Sequence, residues 1–194
     1  GLAAASLWSW SIILDKLYRF FTWNRAADAF EDAVASGRSL EEIAADAGAE
    51  LVALPEYFCL MGRRDEDKLA IAEDDGGGPI QEALSDIARQ EGLWVVGGTL
   101  PLRSTQPGRV RNACTVWSPT GQRVACYDKI HLFAFDNGRE RYDEARVLQA
   151  GTTPVTVDIE GLRIGLSVCY DLRFPELYRA MMQPPCDLVV VPSA

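Results

Sequence analysis

The sequence predicts a layered α/β fold built on a mixed sheet. Three observations point there. Continuous apolar runs at Leu51 to Leu54, Leu93 to Leu100 and Asp187 to Pro192 have the composition of strands covered on both faces. Val110 to Trp117 with Gln122 to Tyr127, and Val155 to Ile159 with Leu162 to Val168, are pairs of strands joined by short turns, hence antiparallel hairpins. Between these strands stand helical stripes. The chain has 194 residues, 48% of them hydrophobic, which is enough for one sizeable core.

Taken in order, Leu7 to Phe21 is apolar, but Asp15, Lys16 and Arg19 interrupt it well short of a membrane span. Trp10, Ile13, Leu14, Leu17, Phe20 and Phe21 instead form a helical stripe. Residues 1–22 therefore read as an atypical helical leader docked on a domain over 23–194, with a membrane-surface anchor or a non-native leader as alternatives. Ala26, Phe30, Ala33 and Val34 keep helical spacing. Ser39 and Glu42 then make a capping box for a helix that Gly48 closes.

Leu51 to Leu54 is the first strand, and Pro55-Glu56 puts a carboxylate at its end. Arg63 to Asp75 is dense in charge and reads as a solvated surface segment, followed by Gly76-Gly77-Gly78. Pro79 starts a helix whose inner face is Ile80, Ala83, Leu84, Ile87 and Ala88, and Gly92 ends it. In Leu93 to Leu100, Gly97-Gly98 marks a bulge or a close backbone approach. Ser118-Pro119-Thr120-Gly121 favours a type I turn in the first hairpin. Lys129 stands just past that hairpin, and Phe135 to Arg146 reads as irregular. Cys169 ends the strand from Leu162, and Pro175 opens a helix to Met182.

Composition excludes several classes. Nineteen Lys and Arg against 28 Asp and Glu give a net charge of −9, which argues against a nucleic-acid partner. Five cysteines (59, 114, 126, 169 and 186) lack any CxxC pair, so they fit free thiols in a reducing cytoplasm better than disulfides or a zinc cage. The single histidine, His131, rules out a multi-histidine metal site. No Gly-rich phosphate loop follows a strand.

Three reactive side chains, Glu56, Lys129 and Cys169, fall at strand ends, where sites gather in α/β sheets. Each has a plain alternative: a surface carboxylate, a solvated ammonium and a core thiol. A thiol between a strand and a helix can sit near unpaired backbone N–H groups that favour the thiolate. Their surroundings discriminate further. LVALPEYF around Glu56, YDKIHLF around Lys129 and GLSVCYDLRFPELYR around Cys169 resemble, in order, three motifs of the nitrilase or carbon-nitrogen hydrolase superfamily, nearest its Nit-type amidases.

That resemblance implies an αββα sandwich, no metal or organic cofactor, and homo-oligomers paired through a sheet-extending interface. It implies further strands and helices at both ends, so the sequence reads as an incomplete domain. By position it makes Cys169 the nucleophile, Glu56 the general base and then acid, and Lys129 the cation at the tetrahedral intermediate. The Tyr170 backbone N–H joins Lys129 as oxyanion donor. Glu144 matches the accessory glutamate, with Asp143 and Glu140 as nearby competitors. Asp171, Arg173 and Glu176 read as scaffold, and His131 as a satisfied core residue. The implied activity is hydrolysis of the terminal amide of a small carboxylated substrate through a Cys thioester. Alternatives are a nitrilase or N-carbamoyl amidohydrolase, a Cys169/His131 hydrolase, and a non-catalytic remnant that binds a partner.

Overall fold

In the computed structural model, residues 48–60, 62 and 64–194 are described; the leader over 1–22, the stripe from Ala26 and the helix capped by Ser39 lie outside them. The unit Ala49–Ala194 begins with strand β1 (Leu51–Ala53), followed by helices α1 (Asp67–Ala70) and α2 (Pro79–Glu91). Strands β2 (Trp94–Val96), β3 (Leu100–Arg103), β4 (Val110–Trp117) and β5 (Arg123–Asp128) follow. Next come a small hairpin, β6 (Ala134–Asp136) with β7 (Arg141–Asp143), a 3-10 turn at Glu144–Arg146, and β8 (Leu148–Gln149). The chain ends with β9 (Val155–Ile159), β10 (Leu162–Leu166), a 3-10 turn at Cys169–Arg173, α3 (Pro175–Met181) and β11 (Leu188–Val190).

The long strand β4 organises a six-stranded sheet. On one edge it takes β2 and then β3, both antiparallel; on the other it takes β5 antiparallel and β8 parallel. β1 extends the sheet parallel to β2. β2 and β3 line one edge of β4 with a kink between them, as the Gly97-Gly98 pair predicts. Gly98 has a φ of +46°, and a Cβ there would fall 2.0 Å from the Pro55 carbonyl oxygen. A second sheet runs β9, β10, β11, antiparallel and then parallel. Its hairpin turns through Glu160 and Gly161, both at positive φ.

Alternation along β4 explains the layers. Cys114 and Val116 face Ile164, Leu166 and Ile159 of the second sheet, with Val96 and Tyr127 in the same buried cluster. The opposite face meets α2, where Leu84 approaches Gly97 and Thr115. Beyond the second sheet, Met181 of α3 reaches Gly165 at 3.1 Å from a Cβ built there. Helix, sheet, sheet and helix thus stack in the αββα order expected from the sequence. Among the described residues no helix is long and apolar enough to cross a membrane.

Three expectations need correction. β1 and β11 are not covered on both faces: Ala53 and Leu188 are exposed, and among the described residues each strand pairs on one side only. The charged run is only partly solvated, because Glu73 and Lys68 are buried. The Glu73 carboxylate accepts from the backbone N–H groups of Ile80 and Gln81, so it serves the otherwise unpaired N-terminus of α2. Finally, Phe135 to Arg146 is not irregular: it contains the β6–β7 hairpin.

Candidate active site

Glu56 is held where β1 runs into a strained corner. Leu54 N–H still pairs with the Val96 carbonyl, and Tyr57, one residue past Glu56, takes a φ of +54°. For a bulky residue this conformation costs energy and persists only when its surroundings fix it. The Tyr57 N–H donates to the Thr99 hydroxyl at 2.9 Å, which anchors the corner. Lys129 continues the line of β5: its N–H donates to the Asn112 carbonyl and its own carbonyl accepts from Gly151. Cys169 leaves β10 with a φ of +45°, its N–H donating to the Pro192 carbonyl at 2.9 Å.

These corners bring the predicted residues together. Lys129 Nζ lies 3.0 Å from Glu56 Oε1 and 2.9 Å from Glu144 Oε2, with Glu56 3% and Lys129 1% exposed. Glu144, at the start of its 3-10 turn, also accepts from the Phe133 N–H at 2.7 Å. Its competitors are elsewhere: Asp143 accepts from Ala145 N–H and Glu140 is exposed. Burial opposes the Lys129 charge, yet Glu144 and Glu56 outweigh it and raise the pKa above the ordinary lysine value. Lys129 is therefore an ammonium at neutral pH.

The Cys169 thiol lies within electrostatic reach of Glu56 and Lys129. Its pKa is raised, first by burial and then by the Glu56 charge, with Lys129 pulling the other way. A backbone hydrogen bond at Ala194 does favour the thiolate, as expected, but burial and the Glu56 charge outweigh it. The Cys169 N–H itself donates to the Pro192 carbonyl. The thiol is protonated at rest and has a base beside it. Tyr170 is the second residue of the 3-10 turn, a position whose N–H normally lacks an intrahelical partner. Its ring meets Phe133 and Phe174 edge-on.

Asp171, fully buried, pins this turn. One carboxylate oxygen accepts from Tyr127 Oη at 2.7 Å and Val168 N–H at 2.9 Å; the other faces His131 N–H at 2.9 Å and His131 Nδ1 at 2.7 Å. His131 stacks on Phe174 with ring centroids 3.7 Å apart. The scaffold reading of Asp171 and the satisfied reading of His131 agree with these contacts, while Glu176 pairs with Arg179 on the surface.

Two neighbours escaped the sequence reading. Asn112 Nδ2 donates to Glu56 Oε1 at 2.9 Å and to Tyr57 Oη at 3.1 Å. Tyr57 Oη in turn donates to Glu144 Oε1 at 3.3 Å. Burial first, then Glu144 and Glu56, drive the Tyr57 pKa far up, so the hydroxyl stays a donor. The signal for Asn112 was present, because it is a polar residue in phase with Cys114 and Val116 on the core face. A cavity of about 510 Å³ lies among Cys59, Ala72, Glu73, Gly78, Ile80 and Arg103 and touches none of these groups. Side-chain chemistry marks the site more clearly than that hollow does. Among the described residues no group of three His, Cys, Asp or Glu is placed to hold a metal ion.

A buried carboxylate–ammonium–thiol constellation at strand ends, on two facing sheets, defines a class that comparison identifies. Residues 11–194 match the carbon-nitrogen hydrolase family, and the chain belongs to it. Omega-amidase NIT2 of Homo sapiens is 35% identical over 153 residues, 78% of this chain and 54% of that protein. The deaminated glutathione amidase of Yersinia enterocolitica is 32% identical over 152 residues, 77% of this chain and 53% of that protein. The chain thus spans about half the length of the curated relatives it matches. Among solved structures, the C. elegans NitFhit protein aligns with a TM-score of 0.66 at 30% identity, covering 85% of this chain and 40% of that one. An amidase mutant from Nesterenkonia sp. AN1, its active-site cysteine modified by Michael addition of acrylamide, aligns with a TM-score of 0.64 at 27% identity, covering 88% and 61%.

Proposed function

We propose that this chain is a cysteine-dependent amidase that hydrolyses the terminal amide of a small carboxylated substrate and releases ammonia. The observation that carries the reading is the buried Glu56–Lys129–Glu144 group, with the Cys169 thiol within electrostatic reach of Glu56 and Lys129. Glu56 takes the thiol proton as sulfur attacks the amide carbon. The oxygen gains negative charge beside the Lys129 ammonium and the Tyr170 N–H. When the C–N bond breaks, Glu56 returns its proton to the departing ammonia, leaving a thioester on Cys169. Glu56 then draws a proton from water as its oxygen attacks the thioester carbon; the C–S bond breaks, the acid is freed, and Glu56 returns the proton to the sulfur.

Glu144 orients Lys129 in this scheme. The relatives named omega-amidase and deaminated glutathione amidase support an amide rather than a nitrile or carbamoyl substrate. Exposed Leu172 beyond Cys169 and Leu188 on the edge strand suit a homo-oligomer, which sedimentation would report. Five free thiols suit a reducing compartment such as the cytoplasm.

The test is ammonia release from an amide panel including α-ketoglutaramate and deaminated glutathione, run beside matching nitriles. Cys169→Ala is expected to abolish release, a loss of roughly 1,000-fold or more by the usual weight of a nucleophile. Undiminished activity in that variant would overturn the reading. A folded wild-type protein without activity on any of these compounds would favour a non-catalytic partner-binding role.

A further inference from the structure

We infer that Tyr57 is a positioning residue whose hydroxyl closes a ring of hydrogen bonds joining the two glutamates of the site. The inference rests on the amidase reading and extends it to a residue given no part in the chemistry above. The ring can be walked. Glu56 Oε1 accepts from Asn112 Nδ2, Asn112 Nδ2 also donates to Tyr57 Oη, Tyr57 Oη donates to Glu144 Oε1, and Glu144 meets Lys129, which returns to Glu56 Oε1.

Each link has a fixed sense. Lys129 and the Asn112 amide nitrogen can only donate, and the glutamate oxygens next to Lys129 accept. The Tyr57 hydroxyl has a single proton. Spent on Glu144, it leaves the oxygen to accept from Asn112, which requires the amide nitrogen to face the ring. Asn112 Oδ1 then points elsewhere, and it is buried without a partner. Such an orphan is rare in a folded protein and signals an orientation imposed by stronger neighbours. The hydroxyl thus decides which way Asn112 faces, and so whether Glu56 receives a donor or a repelling oxygen.

The surroundings hold Tyr57 in this role. Its backbone is fixed at positive φ by Thr99, and its ring carries Lys68 Nζ at 4.2 Å from the centroid, an ammonium oriented by Asp65 at 2.8 Å. Thr99 on the backbone and Lys68 on the ring thus fix this strained residue from two sides.

Removing the hydroxyl frees one Glu144 oxygen to draw Lys129 harder. Glu56 then has less positive charge to balance it and holds the thiol proton more tightly. The experiment compares wild type, Tyr57→Phe, Glu144→Gln and the double variant, each checked for fold by circular dichroism. Two readouts are used: turnover of the best amide in the panel, and alkylation of Cys169 by iodoacetamide at pH 7 with the other four cysteines as internal standards. Tyr57→Phe is expected to lower kcat about 10-fold with KM within about 2-fold, and to slow Cys169 alkylation about 3-fold. The double variant should be no slower than Glu144→Gln, because both act through one carboxylate.

Unchanged kcat, or losses that multiply in the double variant, would overturn the proposal. If wild type turns over no amide, the amidase reading fails and alkylation alone decides: a selective slowing of Cys169 keeps the ring, and an unaltered rate removes it. Should Tyr57→Phe not fold, Lys68→Met removes the ammonium over the ring instead, with a 2- to 5-fold loss in the same readouts expected and no loss overturning the proposal.

Discussion

Two clusters of opposite charge in this unit look alike on paper and differ in what they do. Glu56, Lys129 and Glu144 lie in the interior, with Lys129 and Glu56 almost fully buried. Asp75, Arg111, Arg123 and Asp128 tie the loop before α2 to β4 and β5, with the Asp75 side chain 46% exposed. The surface cluster is electrically balanced and partly open to water. The interior cluster has two carboxylates for one ammonium, so it stays short of positive charge beside a thiol. An arrangement made for stability would balance its charges or replace them with apolar side chains. Burial first and then the Glu56 charge raise the Cys169 pKa, with Lys129 opposing them, and in the proposed amidase that carboxylate is the base beside the thiol.

The largest expected effect comes from breaking the buried cluster. In Lys129→Met two carboxylates share an interior with no cation. Losing one partner of a buried pair costs about 3 to 5 kcal/mol. Urea titration should register that loss, and amide turnover should fall by at least about 100-fold, the usual weight of one oxyanion donor. A variant that unfolds no more easily than wild type would mean that water or the carboxylates' own protonation relieves the interior, and the contrast between the clusters would collapse.

Asp171→Asn comes next, because it keeps the shape of the nucleophile turn and removes an acceptor. The carboxylate meets donors from Tyr127, Val168 and His131, and an amide cannot accept on both sides. A buried donor left unpaired costs about 1 to 3 kcal/mol. Since the turn also aims Cys169, kcat should fall together with the urea midpoint. Loss of stability with intact kcat would show that the turn tolerates slack.

Glu56→Gln sharpens the comparison through pH. The Glu56 charge is among the influences that raise the Cys169 pKa, while Lys129 lowers it. Removing the carboxylate charge leaves the ammonium, so the pH at which iodoacetamide reacts at half its maximal rate should move down, even as turnover is lost for want of a base. A midpoint that stayed where it was would mean that burial alone sets the thiol's state and that the charge imbalance has no consequence.

The two clusters were unequally legible in the sequence, for a physical reason. Glu56, Lys129 and Cys169 each follow a run of period-two or continuous apolar residues, so their place at strand ends could be read from local pattern, and their motifs supplied the rest. The paired hairpins and the helix from Pro79 were legible in the same way. Burial of the edge strands was not, since a run such as Leu188 to Val190 has the same composition at a sheet's centre or its margin. Nor was the burial of Glu73 in a charged run. Its reason is the N-terminus of α2, whose place relative to the loop is set only when the chain closes on itself. Tyr57 fell between these cases: its neighbours in sequence say strand end, and its partners lie 55 and 87 positions away.

The smallest expected effect belongs to the surface cluster. Burial opposes the Asp75 charge, but hydrogen bonds from Arg123 and Arg111 lower its pKa below the ordinary carboxylate value. A depressed carboxylate stabilises the fold above its unfolded pKa and loses that contribution as pH falls through the folded one, so the benefit is present at neutral pH and fades in acid. Its size is limited by water: an exposed pair contributes less than about 1 kcal/mol. Asp75→Asn should therefore shift the urea midpoint slightly at pH 7 and progressively less as the pH falls through the acid range, and 1 M salt should shrink the difference further. Amide turnover should not change, because no member of this cluster touches Glu56, Lys129 or Cys169. If it did change, the loop before α2 would have to communicate with the site through Lys68 and Tyr57, and the two clusters would be one system rather than two.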